Sequence, residues 1–185
     1  LVTHVAPSRD DVLRILGTVM DPEVPVISVV ELGIIRDIAI DGAAVQVTVT
    51  PTYSGCPAMR EIEHDIVTAL EMQGIPGATI VTTYSPPWTT DWIGPEAREK
   101  LRVYGIAPPS RAEPGGLITL TRRREPVRCP CCGSTDTVLR SEFGSTACKA
   151  IHACNAYKQR VNEKISLAHR ADYVKFAMKL GLLED

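Results

Sequence analysis

Five of the six cysteines in this 185-residue chain fall between Cys129 and Cys154, and the sixth, Cys56, stands alone. This asymmetry constrains the fold more than any other feature. A short stretch with five thiols and few large apolar side chains cannot build a sufficient hydrophobic core, so it needs a metal or a covalent cross-link to hold a shape. The residues before it carry ordinary apolar periodicity and must fold around a core of their own.

A disulfide framework would spread its cysteines along a chain with a secretory leader. The opening residues Leu1–Asp11 contain neither a basic n-region nor an apolar h-region. A cytoplasmic location is therefore expected, with the clustered cysteines acting as metal ligands. No apolar run approaches the roughly 20 residues that cross a bilayer, so no membrane partner is expected. Twenty basic against 22 acidic residues give a net charge of −2, which argues against nucleic acid as the main partner.

Ser8, with Asp11 three positions on, forms a capping-box pattern. Val12, Ile15, Leu16 and Val19 then recur at helical spacing, and Asp21-Pro22-Glu23-Val24-Pro25 ends that helix. Ile34–Ile40 and the alternating Val45, Val47 and Val49 flank Asp41-Gly42, a hairpin signal. After the loop from Thr50 to Gly55, Pro57 suits the first position of a second helix, whose apolar face is Met59, Ile62, Ile66 and Leu70. Ala78–Ser85 reads as a third strand. Gly94-Pro95-Glu96 opens a third helix that closes at Gly105. The order α-β-β-α-β-α indicates helices packed on a small mixed sheet. A linker over 107–126 follows, then a cysteine-rich module over 127–157 and an amphipathic helix over 158–185. The fold class is α+β.

Cys56 lies between Gly55 and Pro57, at the expected loop-to-helix junction. Unpaired N–H groups and the positive end of a helix dipole stabilise thiolate there, the form that attacks electrophiles and binds soft metals. The plainer reading is a small buried apolar side chain. His64, eight positions on, stands about 12 Å further along the helix axis and cannot pair with it. No nucleophile, base and orienting acid come together as a set, so a hydrolase is not supported. A thiol-dependent enzyme remains open.

In the second module Cys129 and Cys132 have C-x-x-C spacing, followed by Gly133. That spacing lets one tight turn present two thiolates to a tetrahedral ion, leaving Cys131 to point elsewhere. Further ligands would come from Cys148, Cys154 or, alternatively, His152. Tyr157 stands where a second C-x-x-C would be completed. A structural zinc ribbon is the leading reading; an iron–sulfur cluster, mononuclear iron and metal-free thiols are its competitors. Arg122-Arg123-Arg124 could mark a nucleic-acid-binding ribbon, but flanking Glu113 and Glu125 favour a solvated linker.

These motifs resemble known families. Asp21-Pro22-Glu23-Val24-Pro25, Leu32-Gly33-Ile34, Thr50-Pro51-Thr52 with Gly55-Cys56-Pro57, and Pro87-Trp88-Thr89-Thr90-Asp91-Trp92 resemble the MIP18 (DUF59) family of iron–sulfur assembly factors. Cys129-Pro130-x-Cys132-Gly133-Ser134 with Phe143–Ala150 resembles the C-terminal module of the phenylacetate-degradation D-protein family. The resemblance implies a MIP18-like α/β domain over 1–106 and a non-catalytic role beside a multicomponent phenylacetyl-CoA epoxidase. In that role the chain assists assembly or insertion of the iron–sulfur cluster of the reductase component, or docks in the complex as a structural component. It also implies that Cys56, with Asp21 and Glu23 on the adjoining surface, handles iron or cluster transiently. Without the resemblance, the two acids read as a solvated turn. A single cysteine is too few to hold a cluster, so a homo-oligomer or a client would complete the site. The family carries a second cysteine pair where this chain has Tyr157.

Overall fold

The computed structural model describes residues 6–108, 126–144, 146 and 149–158. Helix α1 spans Arg9–Leu16. Ser8 caps it reciprocally: its Oγ accepts from the Asp11 N–H at 3.1 Å, and the Asp11 carboxylate accepts from the Ser8 N–H at 3.3 Å. Val12, Ile15 and Leu16 form its buried face. The helix ends before the prolines require it to. Thr18 N–H turns back to the Ile15 carbonyl and Val19 N–H to that of Leu16. Val19 is still buried, but its carbonyl accepts from the Val29 N–H across an Asp21–Ser28 turn.

Strands β1 (Ile35–Asp41) and β2 (Ala44–Val49) form the expected antiparallel hairpin. Asp41 pairs with Ala44, so the connecting residues are Gly42-Ala43, one position later than the Asp-Gly pattern suggests. Gly42 takes the left-handed conformation at φ 58°. Helix α2 (Met59–Met72) then carries the chain to β3 (Thr79–Thr82), which pairs parallel with β2. A parallel neighbour requires such a crossover, and α2 supplies it. The sheet order is β1-β2-β3, a mixed sheet. Two expectations shift here. The strand expected over Ala78–Ser85 is confined to four residues. Pro57 is not the first helical residue; it lies in a turn ahead of α2, which starts at Met59 after Ala58.

Ile62, Ile66 and Leu70 on α2 pack with Val12 and Leu16 on α1 and with Ile38, Val45, Val47 and Val49 on the sheet. Helix α3 (Pro95–Tyr104) adds Ala97 and Leu101 to that core and closes with Gly105 at φ 95°. Between β3 and α3 the Pro-rich segment folds back over the Leu32–Ile34 turn. The Trp88 indole N–H donates to the Leu32 carbonyl at 3.0 Å, and the Arg36 guanidinium stacks 3.6 Å from the Trp92 ring centre.

The cysteine-rich module is a two-stranded ribbon of β4 (Thr137–Ser141) and β5 (Ile151–Cys154), antiparallel, with an irregularity after Leu139. Leu117–Leu120, the triplet Arg122–Arg124 and Cys148 lie outside the described residues, as does the expected C-terminal helix apart from Lys158. Among the described residues no helix is long and apolar enough to cross a membrane.

Candidate metal centre and the Cys56 turn

The ribbon's first turn follows from Cys129-Pro130-Cys131-Cys132-Gly133. The Gly133 N–H donates to the Cys129 carbonyl and the Cys129 N–H to the Ser134 carbonyl, each at 2.8 Å. At φ 74°, Gly133 turns the chain out toward β4. Strand β5 brings the third cysteine from 22 residues away, and Cys132 Sγ lies 3.5 Å from Cys154 Sγ. The sulfurs of Cys129, Cys132 and Cys154 all lie within 4.8 Å of one another. Around a tetrahedral ion with bonds of about 2.3 Å, neighbouring sulfurs stand about 3.8 Å apart. The trio therefore fits three corners of a zinc site. A bound zinc would cross-link the turn to β5 in place of the apolar core that this module lacks.

The thiols differ in how readily they ionise. Burial works against the Cys129 thiolate, but hydrogen bonds from the Cys132 and Cys131 N–H groups outweigh it and hold its pKa below the ordinary value. The Tyr157 N–H favours the Cys154 thiolate. Burial, hydrogen bonding with Cys132 and Cys129 and the charge of Cys129 nevertheless carry its pKa up. Cys131 is exposed and outside the trio, and burial and the neighbouring Cys129 raise its pKa. His152 is exposed in β5 opposite Leu139 and is not part of the trio.

The turn after β5 is folded around Cys154: the Tyr157 N–H donates to its Sγ at 3.3 Å. The position that would complete Cys154-x-x-Cys carries a half-exposed phenol instead of a thiol.

Cys56 sits in the turn between β2 and α2. Its N–H donates to the Tyr53 carbonyl at 3.3 Å, and its carbonyl accepts from the Met59 N–H at 3.4 Å. It is half-buried against the core and in no disulfide. Asp21 and Glu23 are not the solvated turn that the bare sequence suggests. Asp21 is only 8% exposed, and its Oδ1 accepts from the Glu23 N–H at 2.8 Å and the Val24 N–H at 2.7 Å. Among the described residues, Cys56, Asp21 and Glu23 do not converge into a metal-holding group.

Several features of these turns escape the sequence. Lys149 of the ribbon donates from Nζ to the Glu23 carbonyl at 3.0 Å and stands 4.0 Å from Glu23 Oε2. Arg102 on α3 donates to the Pro130 carbonyl at 3.4 Å. Among the described residues, two buried side-chain oxygens have no hydrogen-bond partner: Glu23 Oε2 and Thr50 Oγ1. Buried polar atoms are nearly always paired, with ordered water or an ion where protein supplies no partner, and Glu23 Oε2 also faces Lys149 Nζ at 4.0 Å. One lies in the Asp21–Pro25 turn and the other at the start of the loop that leads to Cys56. No local pattern announces contacts between residues 126 positions apart, as with Lys149 and Glu23.

Residues 9–82 match the iron–sulfur cluster assembly protein family, and residues 113–161 match the PaaD zinc β-ribbon domain. A protein of Escherichia coli (strain K12) assigned as the D component of 1,2-phenylacetyl-CoA epoxidase is 40% identical over 159 residues, covering 86% of this chain and 93% of that protein. An Fe–S protein maturation auxiliary factor of Porphyromonas gingivalis (strain ATCC BAA-308 / W83) is 39% identical over 97 residues, covering 51% of this chain and 90% of its own length. Among solved structures, a DUF59 domain from Bacillus anthracis is 25% identical with a TM-score of 0.47, covering 50% of this chain and 89% of that one.

Proposed function

The chain belongs to the iron–sulfur cluster assembly protein (MIP18/DUF59) family, in the form that carries a PaaD zinc β-ribbon, and from that premise we propose how it works. It is an accessory factor in iron–sulfur protein maturation. Its client is the iron–sulfur reductase component of a phenylacetyl-CoA epoxidase, and its cluster-handling surface comprises Cys56, Asp21 and Glu23. The reading divides the chain into the α/β domain over 1–106, the linker over 107–126, the ribbon over 127–157 and a C-terminal helix over 158–185. The protein acts in the cytoplasm.

The observation that carries this reading is that the Asp21–Pro25 turn and the loop leading to Cys56 both lie within residues 9–82, the part of the chain that matches the iron–sulfur cluster assembly family. Cys56 supplies a single thiolate, whereas clusters normally take four protein ligands, so the remaining ligands come from a client or a second copy of the chain. Asp21 accepts from the Glu23 and Val24 N–H groups and so shapes the turn that carries Glu23. The ribbon contributes structure and contact, and no group in the chain is assigned to catalysis.

Iron and acid-labile sulfide are measured on anaerobically purified protein, wild type beside Cys56→Ser. Zinc in both with iron and sulfide only in wild type is the expected result. Equal iron and sulfide in the two proteins would remove Cys56 from the mechanism. The E. coli relative's assignment as an epoxidase component favours a second reading, a docking component of the oxygenase complex. Co-purification with that complex at fixed stoichiometry would support it, and absence from the active complex would end it.

A further inference from the structure

We propose that the ribbon clasps the Asp21–Pro25 turn through Lys149, and that a metal held in the ribbon keeps the clasp closed, so that losing the metal loosens the turn that carries Glu23. The inference rests on the metal reading of the three cysteines and goes beyond it, since that reading alone does not tie the ribbon to the α/β domain. The turn is short of hydrogen bonds of its own. Pro22 and Pro25 have no N–H, so the segment is held from Asp21. Its Oδ1 accepts from the Glu23 and Val24 N–H groups, and its own N–H donates to the Ile27 carbonyl at 3.0 Å. The Glu23 carbonyl accepts from Lys149 Nζ at 3.0 Å. The same ammonium stands 4.0 Å from Glu23 Oε2, a buried oxygen with no hydrogen-bond partner. One cation thus serves both the backbone and the carboxylate of Glu23. A buried carboxylate oxygen left without a nearby positive charge is costly, so removing Lys149 should release the Glu23 side chain to water.

Lys149 is placed by the ribbon. It lies in the loop between β4 and β5, where its carbonyl accepts from the Gly144 N–H at 2.6 Å and its N–H donates to the Thr146 carbonyl at 3.3 Å. Strand β5 starts two residues later and runs to Cys154, a member of the sulfur trio. Among the described residues, none of the ribbon belongs to the hydrophobic core cluster. A two-stranded hairpin alone is marginal in water, so an ion that joins Cys129 and Cys132 to Cys154 fixes the strand from which Lys149 extends. Ordering a long lysine side chain costs entropy, and a held backbone keeps that cost low enough for the contact to persist. At the other end of the ribbon, Arg102 on α3 donates to the Pro130 carbonyl at 3.4 Å, in the turn that carries Cys129 and Cys132. The ribbon therefore meets the α/β domain at both of its ends.

The test follows amide exchange residue by residue by NMR on the full chain, loaded with zinc and then treated with a chelator, in wild type, Lys149→Ala and Lys149→Arg. In the zinc form, Lys149→Ala should speed exchange at Glu23, Val24 and Ile27 about tenfold, the effect of losing one charge-assisted hydrogen bond. Strands β4 and β5 and helix α2 should keep their protection, which shows that the variant is folded and its ribbon intact. Lys149→Arg retains a cationic donor and should restore the slow exchange. In wild type the chelator should speed the same three amides to a similar extent, and in Lys149→Ala it should add nothing at them. Equal exchange at the turn in zinc-loaded wild type and Lys149→Ala overturns the clasp. Chelation that loosens β4 and β5 but leaves the wild-type turn unchanged overturns its coupling to the metal. A chelator without effect on the ribbon overturns the metal reading and the coupling together, while Lys149→Ala beside wild type still decides the clasp. None of these readouts involves iron or a client, so a failure here is distinct from a failure of the cluster-handling reading.

Discussion

Replacing Gly33 with alanine should be among the most damaging single-methyl changes in this protein. Gly33 adopts φ +75°, and a Cβ built there meets Trp92 Cβ at 2.7 Å, the Trp92 carbonyl oxygen at 3.0 Å and its carbonyl carbon at 3.3 Å. The left-handed backbone costs an alanine roughly 1–2 kcal/mol. Forcing a methyl into filled space adds about 1–3 kcal/mol. Because the obstacle is the backbone and Cβ of Trp92, no rotamer change relieves it. Displacing Trp92 also disturbs the Arg36 stacking and, through the same segment, the Trp88 hydrogen bond to Leu32. The sum, about 2–5 kcal/mol, is a large share of the 5–15 kcal/mol that holds a typical domain. Gly42→Ala is the internal control. It also has positive φ, at +58°, but nothing lies within 4 Å of its Cβ, so only the backbone cost of about 1–2 kcal/mol applies. Urea unfolding followed by tryptophan emission measures both variants. Equal losses in the two would refute the packing argument and reduce Gly33 to an ordinary turn glycine.

Other expectations follow from the same structure. Lys100 Nζ lies 2.5 Å from a Glu31 oxygen, and the Ser28 N–H donates to the other at 2.9 Å. Burial works against that carboxylate, but Lys100 and Ser28 outweigh it and hold its pKa below the ordinary value. A carboxylate with a depressed folded pKa stabilises the fold above its unfolded pKa and loses that contribution as pH falls through the folded one. Glu31→Gln should cost about 1 kcal/mol at neutral pH, and wild type and variant should converge as the pH falls; a difference that does not shrink with acidification would contradict the assignment. Removing metal with a chelator should abolish the amide-exchange protection of β4 and β5 and leave that of α2 intact, because only the ribbon lacks its own core. Protection unchanged throughout would show that the ribbon stands without an ion.

Much of the fold is legible because local chemistry and tertiary packing agree. Ser8 and Asp11 announce a capped helix and make one. The apolar spacing of Ile62, Ile66 and Leu70 marks the face that α2 buries. Errors arise where a local signal admits two neighbouring answers. Asp41-Gly42 marks a hairpin, but strand register moves the turn by one residue. Pro57 tolerates a helix start, yet the turn that holds Cys56 takes it instead. The trio of sulfurs is partly legible: Cys129 and Cys132 announce themselves by spacing, whereas Cys154 joins them only because β5 pairs with β4. Asp21 reads as solvated because a short acidic turn usually is. Its burial depends on the backbone amides that its carboxylate satisfies. The contact of Lys149 with Glu23 is purely tertiary and leaves no mark in the pattern.

The central claim is that this protein matures an iron–sulfur client through Cys56. The most direct test is the cluster content of the epoxidase reductase isolated from cells that lack the protein, complemented with wild type or with Cys56→Ala. The account predicts iron and sulfide restored by wild type and left low by Cys56→Ala, with equal amounts of both complementing proteins. Full cluster occupancy with Cys56→Ala, or without any complementing copy, would contradict it.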